Sequence, residues 1–396
     1  MISEKMLALA RKNSAIRAMF EEGAGLAALY GRENVFDFSL GNPNFPAPKA
    51  VRRAILDVLD GEDSLLVHGY MSNAGYADVR GAVAASLNER FGTAFGADNI
   101  IMSVGAAGGL NVVLKTLLNP GDEVIAFAPY FVEYGNYVAG CDGRLVVVPP
   151  NTEDFLPDTR RLEEAVTPAT KAVILNSPNN PTGVVYAAET IARIAEVLEA
   201  KQRAYGTNIC IISDEPYREL AYDGVVVPYV TKFYPNTIVC YSWSKSLSLP
   251  GERIGYIVVP SAVHEYEIVY EAACIATRVL GFVNAPSLMQ RVAARCLGER
   301  ADVGAYDRNR KRLYEGLRAC GFSCVFPQGA FYLWMKSPVP DAEFVEAAKR
   351  HNILVVPGAS FGCPGYVRLA YCVSPDTIER SLPAFEKLAA ECFGPR

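Results

Sequence analysis

The chain has 396 residues, 51% of them hydrophobic, and a formal net charge of −5. That length supports two domains, or one large domain with an appendage, each with its own core. The acidic balance argues against a nucleic-acid binder, which presents a basic face, and no apolar stretch reaches the ~20 residues that a membrane-spanning helix needs.

The N-terminal stretch MISEKMLALARKNSAIRAMFEEGAG mixes charges throughout. It is unlike a secretory leader and predicts an amphipathic helix. Residues 1–45 are expected to form a segment that packs on a small domain or on a neighbouring subunit. Next, PKAVRRAILDVLDG predicts a helix with Val51, Ile55, Val58 and Leu59 on one face, and ADVRGAVAASLNERF a second with Val79, Val83, Leu87 and Phe91. Short apolar runs bounded by turn signals follow: NIIMSVG, DEVIAFAP, KAVILNSP, NICIISDEP, TIVCYSWS and RIGYIVVP. Helical stretches such as ETIARIAEVLEAKQRAYG separate some of them. Apolar strands alternating with amphipathic helices predict an α/β fold over 46–285, a mostly parallel, doubly wound sheet covered on both faces. Beyond it, SLMQRVAARCLGERADVGAYDRNRKRLYEGLRACG predicts one long charged helix. AFYLWM, ILVVPG and YVRLAYC predict short strands, and PDTIERSLPAFEKLAAECF a last helix, together a smaller α+β domain over 286–396.

Most cysteines stand singly in apolar runs, as Cys210 and Cys240 do. They read as buried thiols and fit a reducing cytoplasm. Cys320 and Cys324 have no second pair to complete a zinc site, and His68, His264 and His351 are far apart, so no metal is expected.

In an open α/β sheet, ligands bind at the carboxyl ends of the strands. Here polar residues crowd those ends: KAVILN runs into SPNNPTG, NICIIS into DEPY, TIVCYS into WSKS, and NIIMSVG into AAGG and a helix. Each piece has a plain alternative. GAAGG is compatible with a tight turn or with an anion seat at a helix start, and it matches neither the dinucleotide fingerprint nor a P-loop. NNPTG can be a turn, Asp214 a cap, and Lys245 a surface charge. Their convergence on one sheet edge gathers an amine, a carboxylate, an amide, a phenol and a set of phosphate-sized donors. That set suits pyridoxal 5′-phosphate. The amine bonds its aldehyde, the carboxylate pairs with its ring nitrogen, and helix-start amides, hydroxyls and an arginine hold its phosphate.

NSPNNPTG, SDEPY, SWSKSLSLPGERIGY and VRLAY occur in the order seen in class I/II pyridoxal-phosphate-dependent aminotransferases of the aspartate aminotransferase type, fold type I. The chain resembles that family over nearly its whole length, from FSLGNPNFPAP to YVRLAYCVS. The resemblance implies that Lys245 bonds the cofactor and that Asp214 meets the ring nitrogen. It implies that Tyr217 and Asn180 bond the phenolic oxygen, with Phe131 stacked on the ring. Ser242, Arg253 and the amides of Ala106 and Ala107 match the phosphate ligands, and Ser244 supports Lys245. Tyr70 resembles a tyrosine that reaches the phosphate of a neighbouring subunit, which implies a homodimer. Arg368 resembles the arginine that grips the substrate's α-carboxylate, with Gly41 and Asn42 in the loop on the substrate side. Ala107 departs from relatives that carry lysine or threonine there to favour acidic substrates or to hold phosphate. Arg278 is out of clear register with an arginine that reads a distal carboxylate, and is expected to be a surface or interface charge.

The resemblance implies ping-pong amino transfer, in which the freed Lys245 amine moves the α-proton as base and acid. Its substrates are an L-amino acid, aspartate as the leading donor, and a 2-oxo acid, 2-oxoglutarate as the leading acceptor. A carbon–sulfur β-lyase, or an alanine, aromatic or broad-range aminotransferase, would use the same cofactor residues. A regulator retaining the fold would need a DNA-binding domain, and no basic helix-turn-helix precedes residue 46.

Overall fold

The computed structural model describes residues 1–11 and 15–394. Among them, thirteen strands run in chain order. The first eight are β1 (Phe36–Asp37), β2 (Ile100–Ser103), β3 (Glu123–Phe127), β4 (Arg144–Val148), β5 (Thr170–Asn176), β6 (Cys210–Asp214), β7 (Thr237–Ser242) and β8 (Gly255–Val258). The rest are β9 (Ser323–Val325), β10 (Tyr332–Lys336), β11 (Ile353–Leu354), β12 (Val356–Pro357) and β13 (Tyr366–Ala370).

Seven strands form one sheet in the order β2-β8-β7-β6-β5-β3-β4. Only β8 runs against the others. The apolar runs form these strands because both faces are covered. Ala172 and Ile174 of β5 and Ile212 of β6 join a core with Leu110, Val113 and Leu114 of the helix Gly105–Leu117. Val173, Leu175 and Ile211 point the other way, onto Ile191, Ile194 and Leu198 of the helix Ala188–Tyr205. A strand buried on both sides reads as a continuous apolar run. The sequence reading missed β4, an edge strand whose residues Arg144–Val147 keep solvent contact.

The expected helix faces hold with one exception. Val51 and Val58 are buried in the helix Lys49–Gly61, whereas Leu59 is exposed. The single long helix expected after residue 286 is two, Ser287–Arg295 and Val303–Ala319. The first puts Met289, Val292 and Ala293 into the cluster of Val51, Val58, Val83 and Leu87, so packing on the large sheet continues past residue 285.

A four-stranded sheet, β12-β13-β10-β9, carries the second core, with Leu333 and Leu369 fully buried, while Trp334 packs into the cluster of Ile191 and Leu198 on the large sheet. The N-terminal stretch forms the helices Glu4–Arg11 and Ala15–Tyr30, and the part of the expected helix over 12–14 lies outside the described residues. Met19 packs with Ile353 and Leu354 in the second core, and β1 pairs with β11. No helix among the described residues is long and apolar enough to cross a membrane.

Candidate active site

The register of the large sheet sets the site. Asn176, the last residue of β5, lies beside Asp214, the last of β6, and β7 ends one strand further on at Ser242. These ends open into a cavity of about 540 Å³. Gly41, Ala106, Ala107, Phe131, Asn180, Asp214, Tyr217, Ser242, Ser244, Lys245, Arg253 and Arg368 all line it.

Lys245 sits one turn past the strand, in the short helix Trp243–Ser246, rather than at the strand end itself. Ser242 caps that helix, its Oγ accepting from the Ser244 amide at 3.1 Å, and the two serine hydroxyls are 2.7 Å apart. Lys245 Nζ donates to the Gly41 carbonyl at 2.8 Å. Burial pulls its pKa down to about 8, and Arg253 and Arg368 push the same way. An amine so placed reaches its neutral, nucleophilic form near physiological pH.

Asp214 is buried. One oxygen, Oδ2, accepts from the Tyr134 hydroxyl at 2.5 Å, whereas Oδ1 has no hydrogen-bond partner. Burial raises its pKa to about 7 against the Tyr134 bond, with Glu215 adding to the rise. A buried carboxylate with a vacant oxygen calls for a cationic donor.

Arg253 follows the turn Pro250–Glu252 in a left-handed conformation, φ 53°, which returns its side chain toward the start of the helix Gly105–Leu117. Its Nη2 donates to the Val104 carbonyl at 3.3 Å. A Cβ on Gly105 would lie 2.9 Å from that Nη2 and 3.5 Å from Ser242 Oγ, and Gly105 has φ +74°, so glycine keeps this cradle open. Helix-start amides, a hydroxyl and a guanidinium thus gather around one point, a donor set that suits a phosphate-sized anion.

Arg368, on β13, is 1% exposed. Its Nη1 donates to Asn180 Oδ1 at 3.1 Å and its Nη2 to the Ser39 carbonyl, while Nε has no partner. The Tyr332 ring lies 4.5 Å from its guanidinium carbon. Asn180 is held in turn by its amide on Asn176 Oδ1 at 2.8 Å.

Three residues singled out from the sequence stand outside the cavity, the first of them Asn42, which is exposed beside Gly41. Tyr70 is 94% exposed after the helix Ser64–His68. Arg278 is exposed on the helix Tyr266–Val279. Sequence reasoning missed Asn176, Tyr134, Glu133 and Tyr332, of which Asn176, Glu133 and Tyr332 line the cavity. Asn176 ends an apolar run, so the rule that found Asp214 could have found it. Tyr332 and Tyr134 look like ordinary core aromatics in sequence.

The fold and this donor set define a fold type I enzyme built around one amine, one buried carboxylate and an anion cradle. The family model for aminotransferase class I and II matches residues 33–385, and the chain belongs to that family. The aspartate/prephenate aminotransferase of Thermus thermophilus is 31% identical, covering 97% of this chain and 99% of that protein. An aminotransferase crystal structure from Eubacterium rectale is 48% identical with a TM-score of 0.96, covering 99% of each chain. The Thermus thermophilus aspartate aminotransferase with maleate is 28% identical with a TM-score of 0.87, covering 98% of this chain and 99% of that one. The protein is an aminotransferase, of a family whose members use pyridoxal 5′-phosphate.

Proposed function

We propose that this cavity holds pyridoxal 5′-phosphate on Lys245 and moves the amino group of an L-amino acid to a 2-oxo acid. The observation that carries the reading is the vacant Oδ1 of buried Asp214 in the same cavity as a lysine of lowered pKa. Asp214 would keep the ring nitrogen protonated. Tyr217 and Asn180 would bond the phenolic oxygen, and Phe131 would cover the ring. Ser242, Arg253 and the amides of Ala106 and Ala107 would take the phosphate. When bound, the cofactor supplies an electron sink for charge at the substrate's α-carbon. Arg368, on the cavity wall with Gly41, would grip the substrate carboxylate bidentately and so set the α C–H within reach of Lys245. Lys245 then takes the α-proton and returns it.

The names of the relatives support aspartate as the leading donor, and 2-oxoglutarate is proposed as the acceptor on the family resemblance alone. A single-turnover donor screen, read as loss of the bound cofactor's visible absorbance, tests this. Aspartate is expected to bleach the band faster than alanine or aromatic donors, and the reverse order overturns the choice of donor. In the same screen, Arg278→Ala is expected to change all donors alike, by less than about threefold, as a surface charge does. A loss confined to aspartate and glutamate would instead assign Arg278 to a distal carboxylate.

The active unit is proposed to be a cytoplasmic homodimer. Tyr70 is exposed and does not line its own cavity, and its loop is tied to the segment after the Arg278 helix by Asn73 Nδ2 on the Val283 carbonyl at 3.1 Å and Asn284 Nδ2 on the Ser72 carbonyl at 2.7 Å. Leu65, Leu66 and Val279 are also exposed on these segments, and large apolar side chains left open to solvent support an interface there. Sedimentation is expected to give a dimer. Mixed dimers of a Lys245→Ala chain with a Tyr70→Ala chain are expected to recover part of the activity, because the cavity that keeps both Lys245 and Arg253 would then take Tyr70 from its partner. A fully active monomer sinks the proposal.

A further inference from the structure

Tyr332, on β10 of the small sheet, is buried against three groups of the site at once. Its hydroxyl is 2.8 Å from the Tyr217 hydroxyl. Its ring faces the Arg368 guanidinium. A Cβ on Gly41 would overlap the Tyr332 hydroxyl, so the loop whose carbonyl accepts from Lys245 packs directly on this phenol.

The direction of the Tyr217–Tyr332 hydrogen bond follows from counting protons. Each phenol has one proton to donate and can also accept. Among the described residues, neither hydroxyl has another protein partner at hydrogen-bond distance. Both phenols line the cavity, so burial does not by itself set the direction. Once the Tyr217 proton goes to the cofactor's phenolic oxygen, as proposed above, Tyr217 can only accept from Tyr332, which therefore donates.

We propose that Tyr332 is a positioning residue for amino transfer. Its hydroxyl donates to Tyr217 and so aims the Tyr217 O–H at the cofactor's phenolic oxygen, while its ring holds Arg368 for the substrate carboxylate. The inference rests on the reading that the cavity holds pyridoxal 5′-phosphate. It links the small sheet to the large one, because Tyr332 stands on β10 and Tyr217 follows β6.

The test is a pH titration of the visible absorbance of the cofactor-loaded protein, combined with steady-state kinetics. A donor on the phenolic oxygen competes for that oxygen with the proton on the neighbouring Lys245 nitrogen. Weakening the donor therefore raises the pH at which that proton leaves. Tyr332→Phe is expected to raise the midpoint by roughly half to one pH unit, the size of one net hydrogen bond. It keeps the ring, so KM is expected to stay within about twofold. Tyr332→Leu removes the ring as well, and is expected to raise KM about five- to thirty-fold with a smaller change in kcat, as loss of a desolvated cation–π contact would. In a Tyr217→Phe background, Tyr332→Phe is expected to leave the midpoint where Tyr217→Phe alone puts it. Should Tyr332→Leu not fold, the two phenylalanine variants still decide the hydroxyl's role. A wild type that titrates while Tyr332→Phe titrates identically overturns the inference alone, as does a full additional shift in the Tyr217→Phe background. A wild type that gains no visible absorbance with pyridoxal phosphate overturns the cofactor reading, and the inference with it.

Discussion

Lys245→Ala protein is expected to lose amino transfer by at least about 10²–10⁴-fold, the range for losing a positioned acid–base group alone. The loss is expected to be larger still, because the same nitrogen is proposed to bond the cofactor. Among the described residues its Nζ meets only a backbone carbonyl at hydrogen-bond distance, that of Gly41, and no carboxylate is among the groups that act on it. An anionic partner would hold the proton on and keep the amine unreactive. Burial does the opposite, and brings the pKa to about 8. The sign is that of a depressed base: below pH 8 the amine is charged, above it the amine is neutral. Uptake of pyridoxal phosphate by the wild type is therefore expected to speed up as pH rises toward 8 and to level off above it. An ordinary lysine would keep gaining up to about pH 10.4. Borohydride reduction followed by peptide mapping is expected to label Lys245, and a label on another lysine would refute the assignment. Lys245→Ala should keep noncovalent affinity for the cofactor, since the phosphate cradle of Ser242, Arg253 and Gly105 is built without it.

The part of this site that lies on the large sheet was legible in the sequence because one rule governs it. A polar residue that closes an apolar run on a parallel strand must stand at the carboxyl edge, where ligands bind. Asp214 and Ser242 obey that rule directly. Lys245 obeys it one helical turn late, because Ser242 caps a short helix after β7. Arg368 could be placed through the family resemblance but not through spacing, since it reaches the cavity from another sheet. The contacts that tune these groups were illegible for the same reason. Tyr134 meets Asp214 across 80 residues of chain and Tyr332 meets Tyr217 across 115, and no local pattern encodes such pairings. In the fold, continuous apolar runs exposed the central strands, whereas the edge strand β4 and the break between the helices Ser287–Arg295 and Val303–Ala319 depend on what packs beside them.

Asp214→Asn is expected to lower turnover by on the order of 10²–10³-fold or more, the range for removing one preorganised electrostatic contact to developing charge. An amide of the same shape can still accept a bond from Tyr134 but cannot hold a proton on a facing ring nitrogen, and without that proton the ring is a poor electron sink. The unpartnered Oδ1 makes a second, cofactor-free measurement possible. In the folded protein without cofactor the carboxyl ionises near pH 7, whereas in the unfolded chain it ionises near the ordinary value of about 3.9. Between those values the folded state binds more protons, so this group's contribution to stability falls as pH rises from about 4 to about 7 and is level above that. Denaturant unfolding of the cofactor-free wild type is expected to show that decline, and Asp214→Asn to flatten it. Adding pyridoxal phosphate to the wild type is expected to restore stability at pH 8, because a cationic partner then faces the carboxylate. The variant should gain less from the same addition. A variant with near-normal turnover, or a wild type whose stability profile matches that of Asp214→Asn, would remove Asp214 from the role given to it here.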